Sequence, residues 1–317
     1  MVMFLWIIAL LASVGVIVWG AEAFAEHLGK AAVTLGVSSF ALALLLAGAE
    51  PEELATAVVA SLRGSPGVAL GDVVGANVTI CLIALGVGAF IAPLPFSGSA
   101  LRYALLGVPL GIVGTWFAWD GSVSRLEGLF LVALYIAYVS LIWIIERHPP
   151  ALGEVGELAE AQDRHNGSRR AGRDLIFVLL GVAAMSGGAT LLVEAVRRIS
   201  HIESTQTKLG LTVVGFATGF ELVVLAWSAS RRGASEAVVA GVVGSFAYNV
   251  TMTLGAAALA HPLALHDVHQ LHMPLLVMLA SLVLVISLAG PRNVLLPAHA
   301  VALFFTYGAF VFIVLYR

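Results

Sequence analysis

Charge interrupts this sequence so rarely that apolar stretches long enough to cross a bilayer follow one another from end to end. Windows of about 20 residues place spans near 2–20, 31–62, 67–92, 100–118, 126–146, 174–198, 208–231, 234–260, 271–290 and 295–316, roughly ten in all. Only 11% of residues are charged, against about a quarter in a soluble domain, so lipid is the solvent that most of the surface must meet. There the backbone has to satisfy its own hydrogen bonds, and the expected class is all-α integral membrane. The net charge of −3 excludes a nucleic-acid partner, and a single cysteine, Cys81, excludes a disulfide framework. The apolar N-terminus lacks a basic leading segment and reads as a first span rather than a cleaved signal.

The second stretch is long for one straight span. It holds Gly48, Pro51 and a run of carboxylates, so a helix break is expected inside it. One sizeable hydrophilic segment, 149–173, separates 1–148 from 174–317, with five spans expected on each side. Alternate loops hold Lys30, Arg102, Arg147, Arg164, Arg169, Arg170, Arg173, Arg231, Arg232 and Arg292; the other set holds Arg63, Arg125, Arg197, Arg198, Lys208 and Arg317. Ten basic residues against six make the first set cytoplasmic, with both termini outside and the cell (inner) membrane as the location.

Residues 52–86 and 221–255 align without a gap at an offset of 169 (221 minus 52). Glu52 meets Glu221, Ala57 meets Ala226, and Ala60-Ser61 meets Ala229-Ser230. Arg63-Gly64 meets Arg232-Gly233, Val73-Val74-Gly75 meets Val242-Val243-Gly244, and Leu85-Gly86 meets Leu254-Gly255. Shared apolar composition does not put a glutamate, an Arg-Gly pair and glycines in one register. Five spans per copy is an odd number, so the copies enter the membrane from opposite sides. Inverted repeats of this kind build secondary transporters, with the site at the midplane between them.

A carboxylate at membrane depth is costly unless water, an ion or a partner compensates it. The first copy reads Gly48-Ala49-Glu50-Pro51-Glu52-Glu53, and the second Ala217-Thr218-Gly219-Phe220-Glu221-Leu222. Glycine and proline free backbone carbonyls here, which with carboxylates offer the hard oxygen ligands that Na⁺ and Ca²⁺ prefer. The next helix of each copy carries small residues and then amides or hydroxyls: Gly75-Ala76-Asn77-Val78-Thr79 and Gly244-Ser245-Phe246-Ala247-Tyr248-Asn249. The candidate cation-binding residues are Glu52, Glu53, Glu221, Asn77, Asn249, Ser245, Thr218 and Asp72. The three glutamates are the central metal ligands among them.

These two segments resemble the paired α-repeats of the cation/calcium exchanger superfamily, the group that contains sodium/calcium exchangers. Its repeat runs Gly-Thr-Ser-x-Pro-Glu, a helix ending in Arg-Gly, then Gly-Ser-Asn-x-x-Asn. Gly48 to Glu53, Arg63-Gly64 and Gly75-Ala76-Asn77 match it once; Thr218 to Glu221, Arg232-Gly233, Gly244-Ser245 and Asn249 match it again. The resemblance implies ten helices in two inverted five-helix repeats and cation antiport, with one glutamate per repeat as central ligand. Counting from Gly75 makes that glutamate Glu53, with Leu222 as its counterpart; aligning the copies selects Glu52 and Glu221. Ala49-Glu50 and Thr218-Gly219 stand where the family has Thr-Ser, and Ala76, Ile80 and Phe246 replace further oxygen donors.

The expected function is therefore exchange of Ca²⁺ or a related cation for Na⁺ or H⁺ by alternating access. Na⁺/H⁺ or other monovalent exchange is the alternative; a channel or an intramembrane enzyme ranks below both. The expected partners are membrane lipid and small inorganic cations, and no cofactor is implied. His261, His266, His269 and His272 sit with Asp267 in one interhelical loop, where hydration rather than metal binding is the ordinary role.

Overall fold

In the computed structural model, residues 2–34, 48–96, 98–146, 171–233, 235–290 and 292–316 are described. The expected hydrophilic linker falls almost wholly outside them, as does the middle of the second expected span.

The first helix, α1 (Val2–Thr34), is longer than the 2–20 read from hydropathy. No Gly-Pro break stops it after Trp19, and it carries exposed Glu22 and Glu26 on beyond the apolar window. After Gly48, at φ 68°, the chain re-enters helix at Pro51, as α2 (Pro51–Leu62). Proline at the first helical position forfeits no backbone hydrogen bond, and its fixed φ suits a helix start. The expected break therefore falls between Gly48 and Pro51. Next comes α3 (Pro66–Thr79), again opened by proline, a π-helical turn over Ile80–Ala84, and α4 (Leu85–Ile91). A short strand β1 (Leu94–Pro95), α5 (Gly98–Ala118), β2 (Ser122–Val123) and α6 (Arg125–Glu146) complete the first half.

The second half opens with α7 (Ala171–Ile199). Then follow α8 (Glu203–Leu209), a π turn over Gly210–Val214, α9 (Gly215–Thr218) and, past Gly219, α10 (Phe220–Arg231). After these come α11 (Ser235–Tyr248), a π turn over Asn249–Thr253 and α12 (Leu254–Ala260). The chain ends with β3 (Leu263–Ala264), α13 (His269–Ala289), β4 (Val294–Leu295) and α14 (Pro297–Tyr316).

The sequence offset is written into the architecture. α2 and α10 start at 51 and 220, α3 and α11 at 66 and 235, the π turns at 80 and 249, α4 and α12 at 85 and 254, β1 and β3 at 94 and 263. Each pair differs by the same 169. Strand pairing obeys the same two-fold relation: β1 pairs antiparallel with β4, and β2 with β3. Exchanging the halves turns one pair into the other.

Nine helical segments among the described residues are long and apolar enough to cross a membrane. Five of them (66–91, 100–118, 125–145, 173–199 and 203–231) lie between the end of α2 and the end of α10, so those two ends face opposite sides. The spans 66–91 and 235–260 are 78% and 83% buried, against 22% for α14, so the two repeat helices form the centre. α1 and α7 pack side by side through glycine: a Cβ on Gly20 would lie 2.9 Å from the Gly181 carbonyl, and one on Gly181 would lie 2.7 Å from that of Gly20.

Candidate functional site

Helix packing at the centre is set by the absence of side chains. Along the crossing of α3 with α8 and α9, a Cβ on Gly75 would sit 2.3 Å from the Leu211 carbonyl oxygen, and one on Gly215 would sit 2.5 Å from the Ala76 nitrogen. Near the break in the first repeat, a Cβ on Gly48 would meet the Gly244 carbonyl carbon at 2.2 Å. Small residues of this kind let membrane helices meet backbone to backbone. Polar side chains beside these contacts are thereby brought within reach of the opposite repeat.

Three cross-repeat contacts result. The Thr218 hydroxyl donates to Asp72 Oδ1 at 2.8 Å. The Ser245 hydroxyl donates to Glu50 Oε1. The Asn249 amide donates to Asn77 Oδ1 at 3.2 Å. Asn249 Oδ1 in turn accepts from Thr253, one turn along the π segment, and the Asn77 amide rests on the Met278 sulfur.

Of the eight residues singled out from sequence, Glu52, Glu53, Asp72, Asn77, Asn249 and Ser245 are completely buried, and Thr218 is nearly so. Glu221 is only half-buried, and Leu222 beside it is buried. The carboxylate of Glu53 faces Asp72, Glu52 and Glu221, with the Asn249 side chain next to it. Its charged neighbours are therefore all acidic. Apart from that Asn249 side chain, the Glu53 carboxylate meets no protein donor among the described residues, and Asp72 Oδ2 meets none. Burying an ionised carboxylate without compensation costs several kcal/mol or more. A proton or a cation is the compensation such a group requires.

Among the described residues, no three His, Cys, Asp or Glu side chains converge closely enough to hold a metal ion by themselves. A cation shell here must draw on amide, hydroxyl or backbone oxygens as well, which Asn77, Asn249, Thr218 and Ser245 have. The histidines from the end of α12 into α13 make contacts of their own. There His266 Nδ1 pairs with Glu203 at 3.2 Å, while His272 stacks on Trp119 and bonds its carbonyl at 3.0 Å.

Glu50 is not among the candidate ligands read from sequence. The structure buries it to 7% exposure against the other repeat. The only sequence signal was its place beside the helix-breaking Pro51, opposite a small-residue turn.

A helical chain of many spans, built twice over in opposite senses with buried acids where the copies meet, defines a multi-pass membrane protein of the secondary-transporter class. The chain belongs to the sodium/calcium exchanger protein family, whose model matches residues 5–144 and 174–316. It is accordingly a cation antiporter and not an enzyme. The sodium/calcium exchanger MaX1 of Methanosarcina acetivorans is 25% identical, covering 86% of this chain and 88% of that protein. The inner membrane protein YrbG of Escherichia coli (strain K12) is also 25% identical, over 68% of this chain and 67% of its own length. The fold is similar to that of the sodium-calcium exchanger NCX_Mj soaked with 2.5 mM Na⁺ and 1 mM Sr²⁺, with a TM-score of 0.61 at 18% identity over 97% of each chain.

Proposed function

We propose that this chain exchanges Ca²⁺ or a related cation for Na⁺ or H⁺ at a carboxylate site halfway through the bilayer, between inverted halves 1–148 and 174–317. Segment 149–173 is a cytoplasmic linker, both termini lie outside, and the membrane is the cell (inner) membrane. The observation that carries this reading is Glu53: fully buried, ringed by acids, and with the Asn249 side chain as its one neighbouring donor among the described residues. Glu52, Asp72 and Glu221 add acidic charge, and Asn77, Asn249, Thr218 and Ser245 supply neutral oxygens. Bound cations or protons neutralise the acids in turn, so one ion leaves only when another replaces it; the ions are cargo, and no cofactor takes part. MaX1 and NCX_Mj, both named as sodium/calcium exchangers, support Ca²⁺ and Na⁺ as the pair.

One observation favours monovalent exchange instead. The counterpart of Glu53 at the same offset is the buried Leu222, which removes a carboxylate from that level. Proteoliposome flux separates the two readings. Ca²⁺ uptake driven by an outward Na⁺ or H⁺ gradient is expected, and loss of it in Glu53→Gln. Gradient-driven Na⁺/H⁺ exchange without Ca²⁺ uptake selects the second reading. Unchanged exchange in Glu52→Gln, Glu53→Gln and Glu221→Gln alike refutes the site.

A further inference from the structure

The two-fold relation between the halves makes every interface occur twice, once toward each side of the membrane, and differences between the two occurrences show how they alternate. One difference lies at the far ends of α2 and α10. The Ser61 hydroxyl reaches two carbonyl oxygens at the end of α12, that of Ala257 at 2.6 Å and that of His261 at 2.7 Å. Nearby, Arg197 donates to the Arg63 carbonyl at 3.0 Å, tying the end of α2 to α7 as well. The counterpart of Ser61 is Ser230, and those of Ala257 and His261 are Gly88 and Ala92, each 169 positions away. The helices at this second interface pack together too: a Cβ on Gly88 would lie 3.2 Å from the Ser230 hydroxyl. Yet that hydroxyl, equally buried from water, has no hydrogen-bond partner among the described residues. The same joint is fastened on one side of the membrane and unfastened on the other.

The position of the joint gives the difference a use. Glu53, Ala57 and Ser61 are spaced four apart on α2 and so share one face. Eight residues put Ser61 about 12 Å beyond Glu53 along the helix axis. Outside Ser61 lies a cavity of about 440 Å³, bounded among others by Ser65, His201, Glu203 and His261. The Ser61 bonds thus stand between this vestibule and the helix face that leads down to Glu53.

We infer that Ser61 and Ser230 are a reciprocal pair of positioning residues for transport: each hydroxyl, when bonded to the end of the opposite repeat's helix, closes its own side of the membrane, and only one is bonded at a time. This rests on the exchange function proposed above. The structure then has the Ser61 side shut and the Ser230 side free to part.

The test uses the full chain with Cys81→Ser and a single reporter, Ala57→Cys or its counterpart Ala226→Cys, labelled by a membrane-impermeant thiol reagent from each face. Loss of one neutral hydrogen bond shifts a two-state equilibrium about three- to tenfold. Ser61→Ala is expected to raise labelling at position 57 by that factor and to lower it at 226. Ser230→Ala is expected to do the reverse, and Ser61→Thr, which keeps the hydroxyl, to restore the original pattern. Two serines that merely support the fold would shift both reporters the same way, or neither, and either result overturns the inference. If Ser61→Ala does not fold, the Ser230→Ala arm decides alone, because that change breaks no bond present here. Flux in the reporter backgrounds distinguishes the failures: exchange that persists with same-signed labelling sinks the latch alone, and absence of exchange in the unaltered chain sinks the function beneath it.

Discussion

Replacing Gly75 by alanine tests whether close helix approach is what assembles the buried polar cluster. A Cβ there would lie 2.3 Å from the Leu211 carbonyl oxygen, whereas ordinary contact begins at 3.4 Å, so α3 and the facing π turn must part by about 1.1 Å (3.4 minus 2.3). The obstructing atom belongs to the backbone and cannot rotate away. Alanine is worth up to about 1 kcal/mol more than glycine in a helix, but overpacking costs about 1–3 kcal/mol, so net destabilisation of about 1–2 kcal/mol is expected. The same displacement would stretch the Thr218–Asp72 bond from 2.8 Å to about 3.9 Å, beyond hydrogen-bond reach. Thr218→Val alone should cost about 1–3 kcal/mol, the usual cost of leaving a buried acceptor without its donor. In the Gly75→Ala background it should cost less than about 0.5 kcal/mol, because the bond is already gone. Thermal unfolding of the four proteins of this cycle in detergent measures the coupling. Strict additivity, or a Gly75→Ala variant as stable as the parent, would show that the crossing does not hold Thr218 on Asp72.

Glu53→Gln should abolish exchange while leaving the ion-free protein as stable as before or more so, since a neutral amide costs less to bury than an uncompensated carboxylate; thermal melts in ion-free buffer check this, and a large drop would contradict it. At 100 times its dissociation constant the transported cation should stabilise the parent chain by about 2.7 kcal/mol, and Glu53→Gln should lose that shift in a screen of Ca²⁺, Mn²⁺, Na⁺ and K⁺. His27 and Asp174 join α1 to α7 at 2.9 Å, with Asp174 buried. His27→Leu, which strands that carboxylate, should cost about 1–3 kcal/mol, and Asp174→Asn, which keeps a hydrogen-bonding group, distinctly less; equal losses in the two melts would argue that the pair is not a bond worth having.

The repeat was legible because it is punctuated. Pro51, Pro66, Gly64 and Gly233 mark helix ends by stereochemistry that needs no partner, and the last two have positive φ of 64° and 79°. Hydropathy placed most spans within a few residues for the same local reason. It failed at α1, where a polar face continues the helix beyond the apolar window. Partner choice was not legible. Nothing in a row of glycines says that Gly75 meets Leu211, or that Gly20 and Gly181 meet each other. Nor could counting decide between Glu52 and Glu53: both are buried, because the helix break turns the first turn of α2 wholly inward. Glu221, read as the twin of Glu52, is the one candidate left half exposed, since its neighbour Leu222 takes the inward place.

The two tiny strand pairs bear on biogenesis. Leu94 finds its partner at Leu295, and Ser122 at Ala264, so each clasp spans the polar segment that divides the chain. A ribosome delivers the first half long before its clasp mates exist, and that nascent half must wait in the bilayer with its central acids still lacking the amides and hydroxyls that later surround them. Cutting such a chain between its halves would not yield two small proteins, but two unfinished ones.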